Sequence, residues 1–507
     1  MTRLQSVVVA VASGILLAFA FPKIDINLVA WVAFIPLLWV IRGRTPGRAF
    51  FYGWIAGMGF YLCTVYWVVY TIGLYSNIPP LVAVGPLLLM CTILASYTGA
   101  FAAGLRFYQR RGGSCVLVGP LLWVVLEWVR SFFFIGFPWV DLGYSQHSFL
   151  NLIQFAEFTG IYGVSAVIIL VNLLLFTFLS ARTPRSWLYP LAAIVLVLGL
   201  SIWGVWRRSQ LAALPLTHHL RVGLIQGNIS QDIKWNPNLQ EETMLRYEKL
   251  TRKVAAQGVD LVVWPETAVP FFFQADAPSS NSDYRERLLQ LVTEIKTPIL
   301  FGSPAFQRTE KKVLLFNRAY LLSSMAEALG SYDKIQLVPF GEYVPFHGIF
   351  FFLDKLVEGI GDFAAGSVLT VFSLPSVKLG VLICYEGIFP DLTRRFVARG
   401  AELLVNITND AWFGRTSAPY QHLVMEAMRA VENRVPLVRA ANTGFSAVVD
   451  LDGRIRSRTN LDEMTFLIEE LAWPQVRSFY TTYGDIFVWL CAAGTGLMLG
   501  YRCFKPR

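Results

Sequence analysis

Leu379-Gly380-Val381-Leu382-Ile383-Cys384-Tyr385-Glu386 is the stretch on which the reading of this chain turns. Its unbroken apolar run reads as a strand buried on both faces. The strand runs out into a turn at a thiol. Taken alone, a cysteine in that place is a core residue, and what changes the reading lies further out along the chain.

Upstream, Val259-Asp-Leu-Val-Val-Trp264 is a second buried strand, closed by a carboxylate in Trp264-Pro265-Glu266-Thr267. Between them, Tyr332-Asp333-Lys334-Ile335-Gln336-Leu337-Val338-Pro339-Phe340-Gly341-Glu342 sets a lysine beside an apolar run. Singly, the glutamate would sit in water at a strand end and the lysine would snorkel to solvent. Together they form a reaction site. A cysteine attacks as thiolate, yet its free pKa is about 8.5. It therefore needs a base for its proton and a cation for the oxyanion that its attack creates. Glu266, Lys334 and Cys384 are the residue types that supply these needs. The two histidines in the core of the region, His347 and His422, stand in no triad context. Cys63, Cys91, Cys115, Cys491 and Cys503 lie in or beside apolar runs, as small hydrophobes rather than a disulfide framework.

Around these segments, short β-rich runs alternate with amphipathic ones. Strands are expected from Arg221, at Pro298–Gly302, Arg318–Ser323, Glu402–Asn406 and Phe445–Leu451, with helices at Asn238–Ala256, Tyr284–Lys296, Pro390–Ala398 and Tyr420–Asn433. Such alternation implies a sheet covered by helices. The rest of the chain answers to another solvent. Of 507 residues, 55% are hydrophobic and only 15% charged, where a soluble protein carries roughly a quarter. A spanning helix needs about 20 apolar residues. Candidates lie at 4–21, 26–41, 50–72, 80–105, 115–131, 160–181, 187–206 and 484–501. Ala18-Phe19-Ala20 resembles a signal-peptide cleavage site, but the apolar run before it is long, and an uncleaved anchor is expected.

The net charge of +9 does not point to nucleic acid, because the arginines sit at the ends of apolar runs without interleaved aromatics. They alternate instead. Arg3, then Arg42, Arg44 and Arg48, then Arg106, Arg110 and Arg111, then Arg182 and Arg185, and finally Arg502, Lys505 and Arg507 all fall on one side. Positive charge stays cytoplasmic. Both termini are thus expected inside, with seven helices over 1–207, an extracytoplasmic domain over 218–473 and an eighth helix at 484–501. Arg207 and Arg208 run against this rule.

The Glu, Lys and Cys segments, in this chain order, resemble the nitrilase superfamily of carbon–nitrogen hydrolases. That resemblance implies an α-β-β-α sandwich, with Glu266 as general base, Lys334 as oxyanion stabiliser and Cys384 as nucleophile. It implies supporting roles for Glu342 and Glu386. Lys234-Trp235-Asn236-Pro237, Val338-Pro339-Phe340-Gly341-Glu342-Tyr343-Val344-Pro345, Cys384-Tyr385-Glu386 and Asn406-Ile-Thr-Asn-Asp-Ala-Trp-Phe-Gly414, set between membrane spans, narrow it further. They resemble the apolipoprotein N-acyltransferase family over essentially the whole chain. This implies an enzyme of the bacterial inner membrane whose catalytic domain is periplasmic. Cys384 would take an acyl chain from a phospholipid and pass it to the α-amine of a lipoprotein's diacylglyceryl-cysteine. A monomer with no cofactor, no metal and no nucleic-acid partner is expected.

Phe271, Phe272 and Phe273 follow Glu266, and Phe346, Ile349, Phe350, Phe351, Phe352 and Leu353 follow Lys334. Aromatic loops so near polar groups suit contact with acyl chains, the alternative being that they fill the core. Gly359-Ile360-Gly361 beyond them reads as a hinge, and Trp235, Tyr385, Asn406 and Trp412 as substrate-binding positions. Two rival functions remain: a membrane-anchored amidase whose thioester goes to water, and a transporter with an accessory domain. Glu127 is the main charged candidate within a span, which is thin support for a transport pathway.

Overall fold

The computed structural model describes residues 1–75, 79–133, 136–181, 183–231, 239–276, 282–310, 312–343 and 363–504. Helices occupy all eight apolar stretches, though not as eight straight rods. The helical half comprises α1 (Arg3–Ala18), α2 (Ile35–Ile41), α3 (Pro46–Thr64), α4 (Trp67–Tyr75), α5 (Pro80–Arg110) and α6 (Cys115–Arg130). Then follow the short α7 (Leu150–Ile153) and α8 (Ala156–Thr159), and the long α9 (Ile161–Ser180) and α10 (Leu188–Ala213). Three helices, Leu81–Arg110, Ile161–Ser180 and Leu188–Ala213, are long and apolar enough to cross a membrane. The pair Pro46–Thr64 and Trp67–Gly73, bent by 53°, makes a fourth if counted as one span. Helix α1 lies so close to α3 that a Cβ on Gly14 would stand 1.9 Å from the Ala56 carbonyl oxygen.

The stretch 26–41, expected as one span, departs from that expectation. It folds as a 3₁₀ turn, Asn27–Trp31, followed by the short α2. Pro36 in the first turn of α2 cannot continue a helix from upstream. The break is bridged by the buried Asn172 of α9. Its Oδ1 accepts from the Phe34 amide at 3.0 Å and its Nδ2 donates to the Ala30 carbonyl at 2.9 Å. Broken backbone away from water requires such partners.

The arginines at helix ends gather. Arg106 donates to the Arg44 carbonyl at 3.2 Å, Arg44 to Ser6 at 3.4 Å, and Arg502 to the Arg111 carbonyl at 2.8 Å. Arg207 and Arg208 are elsewhere, and paired. Arg207 binds Glu157 at 2.8 Å, and Arg208 binds Asp452 at 2.9 Å and Asn151 at 2.8 Å.

The second half holds two six-stranded sheets. One runs β12-β1-β2-β3-β4-β5, built from Thr465–Trp473, His218–Gln226, Leu261–Val263, Ile299–Arg308, Val313–Leu322 and Ala328–Asp333. The other runs β11-β10-β9-β8-β7-β6, built from Ile455–Arg458, Ala447–Val449, Leu437–Ala441, Leu403–Thr408, Lys378–Ile383 and Val371–Ser373. Their facing sides share one core, in which Val222, Leu224 and Leu300 meet Leu379, Val381 and Leu404. On the outer face of the first sheet lie α11 (Gln240–Ala255) and α12 (Ser282–Ile295), through Met244, Tyr247 and Leu288. Helix α11 opens with Glu241 and Glu242 and closes with Arg252 and Lys253, a charge order that favours its dipole. The second sheet is covered by α13 (Pro390–Ala398) and α14 (Ala418–Asn433). The chain then enters α15 (Phe479–Tyr483) and α16 (Ile486–Phe504). The result is the α-β-β-α sandwich that the resemblance implies.

The aromatic run after Glu266 corrects one expectation. Phe271 and Phe273 are buried, stacked on Tyr284 and packed against Phe301 and Tyr320, while Phe272 meets Phe306 edge-on. Phe271 and Phe273 fill the core instead of meeting lipid, and Phe272 is half-buried beside them.

Candidate active site

Parallel pairing orders the strands that lead to Glu266 and Cys384, and β5, antiparallel to β4 as β4 is to β3, runs in the same direction as β3 and leads to Lys334. In register, Val222 faces Leu261 and Val262 faces Ile299 in one sheet, while Ile383 faces Ile407 and Thr408 faces Ala441 in the other. Ligands and reacting groups collect at the carboxyl ends of such strands. Glu266 follows β2, Lys334 follows β5 and Cys384 follows β7. Two of these exits have strained, left-handed backbone, φ being +45° at Thr267 and +52° at Cys384. Gly302 makes the first possible, since a Cβ there would lie 2.4 Å from the Thr267 nitrogen.

The three side chains are buried together. Lys334 is 1% exposed, and Glu266 and Cys384 are each 6% exposed. The Lys334 ammonium donates to Glu342 Oε1 at 2.8 Å and to Glu266 Oε1 at 3.4 Å. An ammonium has three N–H donors, so one remains without a partner among the described residues. Glu266 Oε1 also accepts from the Asn317 amide at 2.7 Å, and its Oε2 from the Asn409 backbone N–H at 3.0 Å. Glu342 accepts from Asn317 at 3.0 Å and from the Val338 N–H at 2.8 Å, which ties its own loop. Glu386 touches none of the three directly. Its carboxylate accepts from Tyr332 Oη, the Ile335 and Gln336 N–H groups and the Ile383 N–H, all within 3.0 Å. It thereby laces the lysine loop to the end of the nucleophile's strand.

Electrostatics divides the work. Burial opposes the charge on Lys334, but Glu342, Glu266 and the neighbouring Cys384 hold its pKa above the usual lysine value. Burial, with Glu266 adding to it, pushes the Cys384 thiol well up, against the pull of Lys334. At rest the thiol is therefore neutral and the ammonium charged. Two carboxylates surround one cation. Among the described residues, no group of three or more His, Cys, Asp or Glu side chains is disposed to hold a metal ion.

The remaining sequence candidates divide. Asn406 is fully buried and its amide donates to the Cys384 carbonyl at 3.0 Å, so it holds the nucleophile's backbone instead of facing substrate. Trp412 lies on a turn whose carbonyl accepts from Thr71 of α4 at 3.0 Å. Trp235, Phe346, His347, Ile349, Phe350, Phe351, Phe352, Leu353 and the Gly359–Gly361 tract lie outside the described residues. Tyr385 is buried against the helical half. Its hydroxyl donates to the Gly136 carbonyl at 3.3 Å, its ring stacks at 6.5 Å on Trp139, and Phe389 meets it edge-on. Nearby, Gln421 of α14 takes the indole N–H groups of Trp67 and Trp139 and donates to the carbonyls of Pro22 and Thr64. Sequence reasoning missed Asn317, which bridges the two carboxylates. Its one trace is an amide set within the apolar strand Val313–Leu322.

Comparisons with known proteins show the family. Residues 13–174 match the model of the apolipoprotein N-acyltransferase N-terminal domain, and residues 221–480 match that of the carbon–nitrogen hydrolases. An apolipoprotein N-acyltransferase of Geobacter metallireducens is 45% identical over 494 residues, covering 96% of this chain and 94% of the relative. One of Methylococcus capsulatus is 33% identical over 520 residues, covering 99% and 97%. Among solved structures, an amidase from Nesterenkonia sp. aligns with 55% of this chain and 98% of its own, at 22% identity and a TM-score of 0.40. The chain belongs to the apolipoprotein N-acyltransferase family.

Proposed function

We propose that this chain transfers an acyl group from a membrane phospholipid, through a thioester on Cys384, to the α-amine of a lipoprotein's diacylglyceryl-cysteine. The observation that carries the reading is the meeting of a buried Glu–Lys–Cys group with the helical half at Tyr385. In the first step Glu266 takes the thiol proton as Sγ attacks the ester carbonyl. The free N–H of Lys334 meets the oxyanion. Collapse expels the lysophospholipid, whose oxygen takes the proton from Glu266. In the second step the amine attacks the thioester and gives its proton to Glu266. Collapse forms the amide and returns the proton to Cys384 sulfur. Glu342 and Asn317 fix the lysine and the base. Lys334 supplies the positive charge on this route, which calls for no metal or cofactor, and one copy of the chain suffices.

The site faces the periplasm and both termini the cytoplasm. The gathering of Arg44, Arg106, Arg111 and Arg502 supports this orientation. The exceptions Arg207 and Arg208 are engaged with Glu157 and Asp452, so they act as junction contacts and not as orientation signals. A reporter fused after Arg111 is then expected to be cytoplasmic and one after Gln475 periplasmic.

The decisive experiment supplies purified chain with phospholipid but no acceptor. A thioester on Cys384, cleaved by neutral hydroxylamine and discharged to amide by a diacylglyceryl-cysteine peptide, is expected. Rapid release of free fatty acid without acceptor would establish a hydrolase instead.

A further inference from the structure

The chemistry above leaves one demand unmet. Sulfur carries negative charge twice per cycle, as it attacks and as it is expelled, and Lys334 is turned toward the carboxylates and the oxyanion. Strand β8 lies beside the nucleophile's strand, parallel to it. Its pairing of Leu382 with Asn406 and Ile383 with Ile407 brings Thr408 opposite Cys384. Residues two apart share one face of a strand. On this face Asn406 grips the Cys384 carbonyl, and the next inward side chain is the buried hydroxyl of Thr408. Thr408 also opposes the rise in the thiol's pKa.

The partner on the other side of Thr408 is Asp410, whose Oδ1 lies 3.3 Å from Thr408 Oγ1. A carboxylate only accepts, so in this arrangement Thr408 is the donor and turns a lone pair toward the neutral thiol. Asp410 does not depend on that bond. Its Oδ2 takes the Arg439 guanidinium at 2.6 Å, and His422 Nδ1 approaches Oδ1 at 3.2 Å. Arg439 and His422 are in turn held by Glu426. The hydroxyl can leave Asp410 without stranding a buried charge.

We propose that Thr408 is a further catalytic residue, whose hydroxyl turns from Asp410 to Cys384 sulfur whenever the thiolate forms and turns back when the thiol or thioester is restored. The proton stays on Thr408 oxygen throughout; only its acceptor changes. Asp410, with Arg439 and His422 behind it, is a positioning residue that draws the hydroxyl away from sulfur at rest. The proposal rests on Cys384 being the nucleophile.

The test needs no lipid. Iodoacetamide alkylation at Cys384, followed by peptide mass spectrometry on the full chain in detergent, reads the thiolate fraction as pH is varied. Thr408→Val is expected to slow alkylation severalfold below the thiol's pKa, and Thr408→Ser to restore it. Asp410→Asn is expected to speed alkylation, and to do so less in a Thr408→Ala background, since the Asp410 charge alone also raises the thiol pKa and only the difference between the two backgrounds reads the hydroxyl. Thr408→Val that melts like the wild type and alkylates at its rate would overturn the proposal. If Thr408→Val does not fold, a wild-type or slower rate in Asp410→Asn would do so. The expected alkylation pattern in a chain that forms no acyl-enzyme would sink the acyl-transfer reading and leave the thiolate role intact.

Discussion

At the junction of the two halves, Glu157 accepts from Arg207 at 2.8 Å and from Arg434 at 2.5 Å. Arg434 also reaches Gln154 and the Leu451 carbonyl, so every nitrogen of its guanidinium is engaged. In the active site the proportions are reversed. One ammonium faces two carboxylates, keeps a spare donor, and adjoins a thiol held neutral. The residue types are similar and both groups are buried, but the balance of charge is opposite: two cations share one carboxylate at the junction, and two carboxylates share one cation in the site. A planar fork with four of its five N–H groups bonded fixes the junction. An ammonium with a donor to spare, surrounded by excess negative charge, is free to meet charge that appears only during reaction.

That contrast can be broken from either side. Cys384→Ala is expected to abolish acyl-enzyme formation and amide formation completely, with thermal unfolding unchanged; residual transfer by gas or thin-layer analysis of products would refute the mechanism. Lys334→Ala should slow acylation about a hundredfold or more, as loss of an oxyanion donor does. It should also lower stability, because two buried carboxylates lose their cation, and single-turnover kinetics with calorimetry separates the two effects. Arg434→Leu should act the other way round. Breaking a buried pair costs about 3–5 kcal/mol, read in thermal unfolding, while Cys384 alkylation in the surviving folded protein stays near wild type. A smaller effect concerns acid. Burial works against the charge on Asp410, but Arg439 and His422 hold its pKa down to about 2 from 3.8. The folded value is the lower one, so the stabilisation is complete above the unfolded value and is lost as pH falls toward 2. Roughly 2 kcal/mol is at stake, and Asp410→Asn should flatten that part of the stability profile. Least of all, Arg208→Gln at the partly exposed edge of the junction should cost about 1 kcal/mol or less.

The strand ends at Glu266 and Cys384 were legible because each pairs a continuous apolar run with a polar residue at its exit, a pattern that depends on neighbours in the chain; Lys334 was read only from the apolar run after it, since β5 before it has none. The four edge strands β5, β6, β11 and β12 and the short β9 were not anticipated. Strand β12 is half exposed and carries Glu469 and Glu470, so it lacks a buried strand's apolar run. In β9 the buried Arg439 interrupts a run that would otherwise read as core. The phenylalanines at 271–273 were misread because a run of aromatics has the same spelling in a core and in a lipid-facing loop.

By itself the sequence determined two solvents, a sheet covered by helices and the Glu266, Lys334 and Cys384 segments, since hydropathy, periodicity and motif order are properties of adjacent residues, and the resemblance those segments carry implied the sandwich. Only the tertiary structure decided that Asn317 joins the two carboxylates, that Thr408 stands opposite Cys384, and that Arg207 answers Glu157 rather than a membrane surface. Those contacts are made across strand registers and helix packings, where partners distant in the chain meet, as Asn317 meets Glu342 at a separation of 25 and Glu266 at a separation of 51. No local pattern records such a meeting, because the register that creates it is chosen by the burial of whole strands.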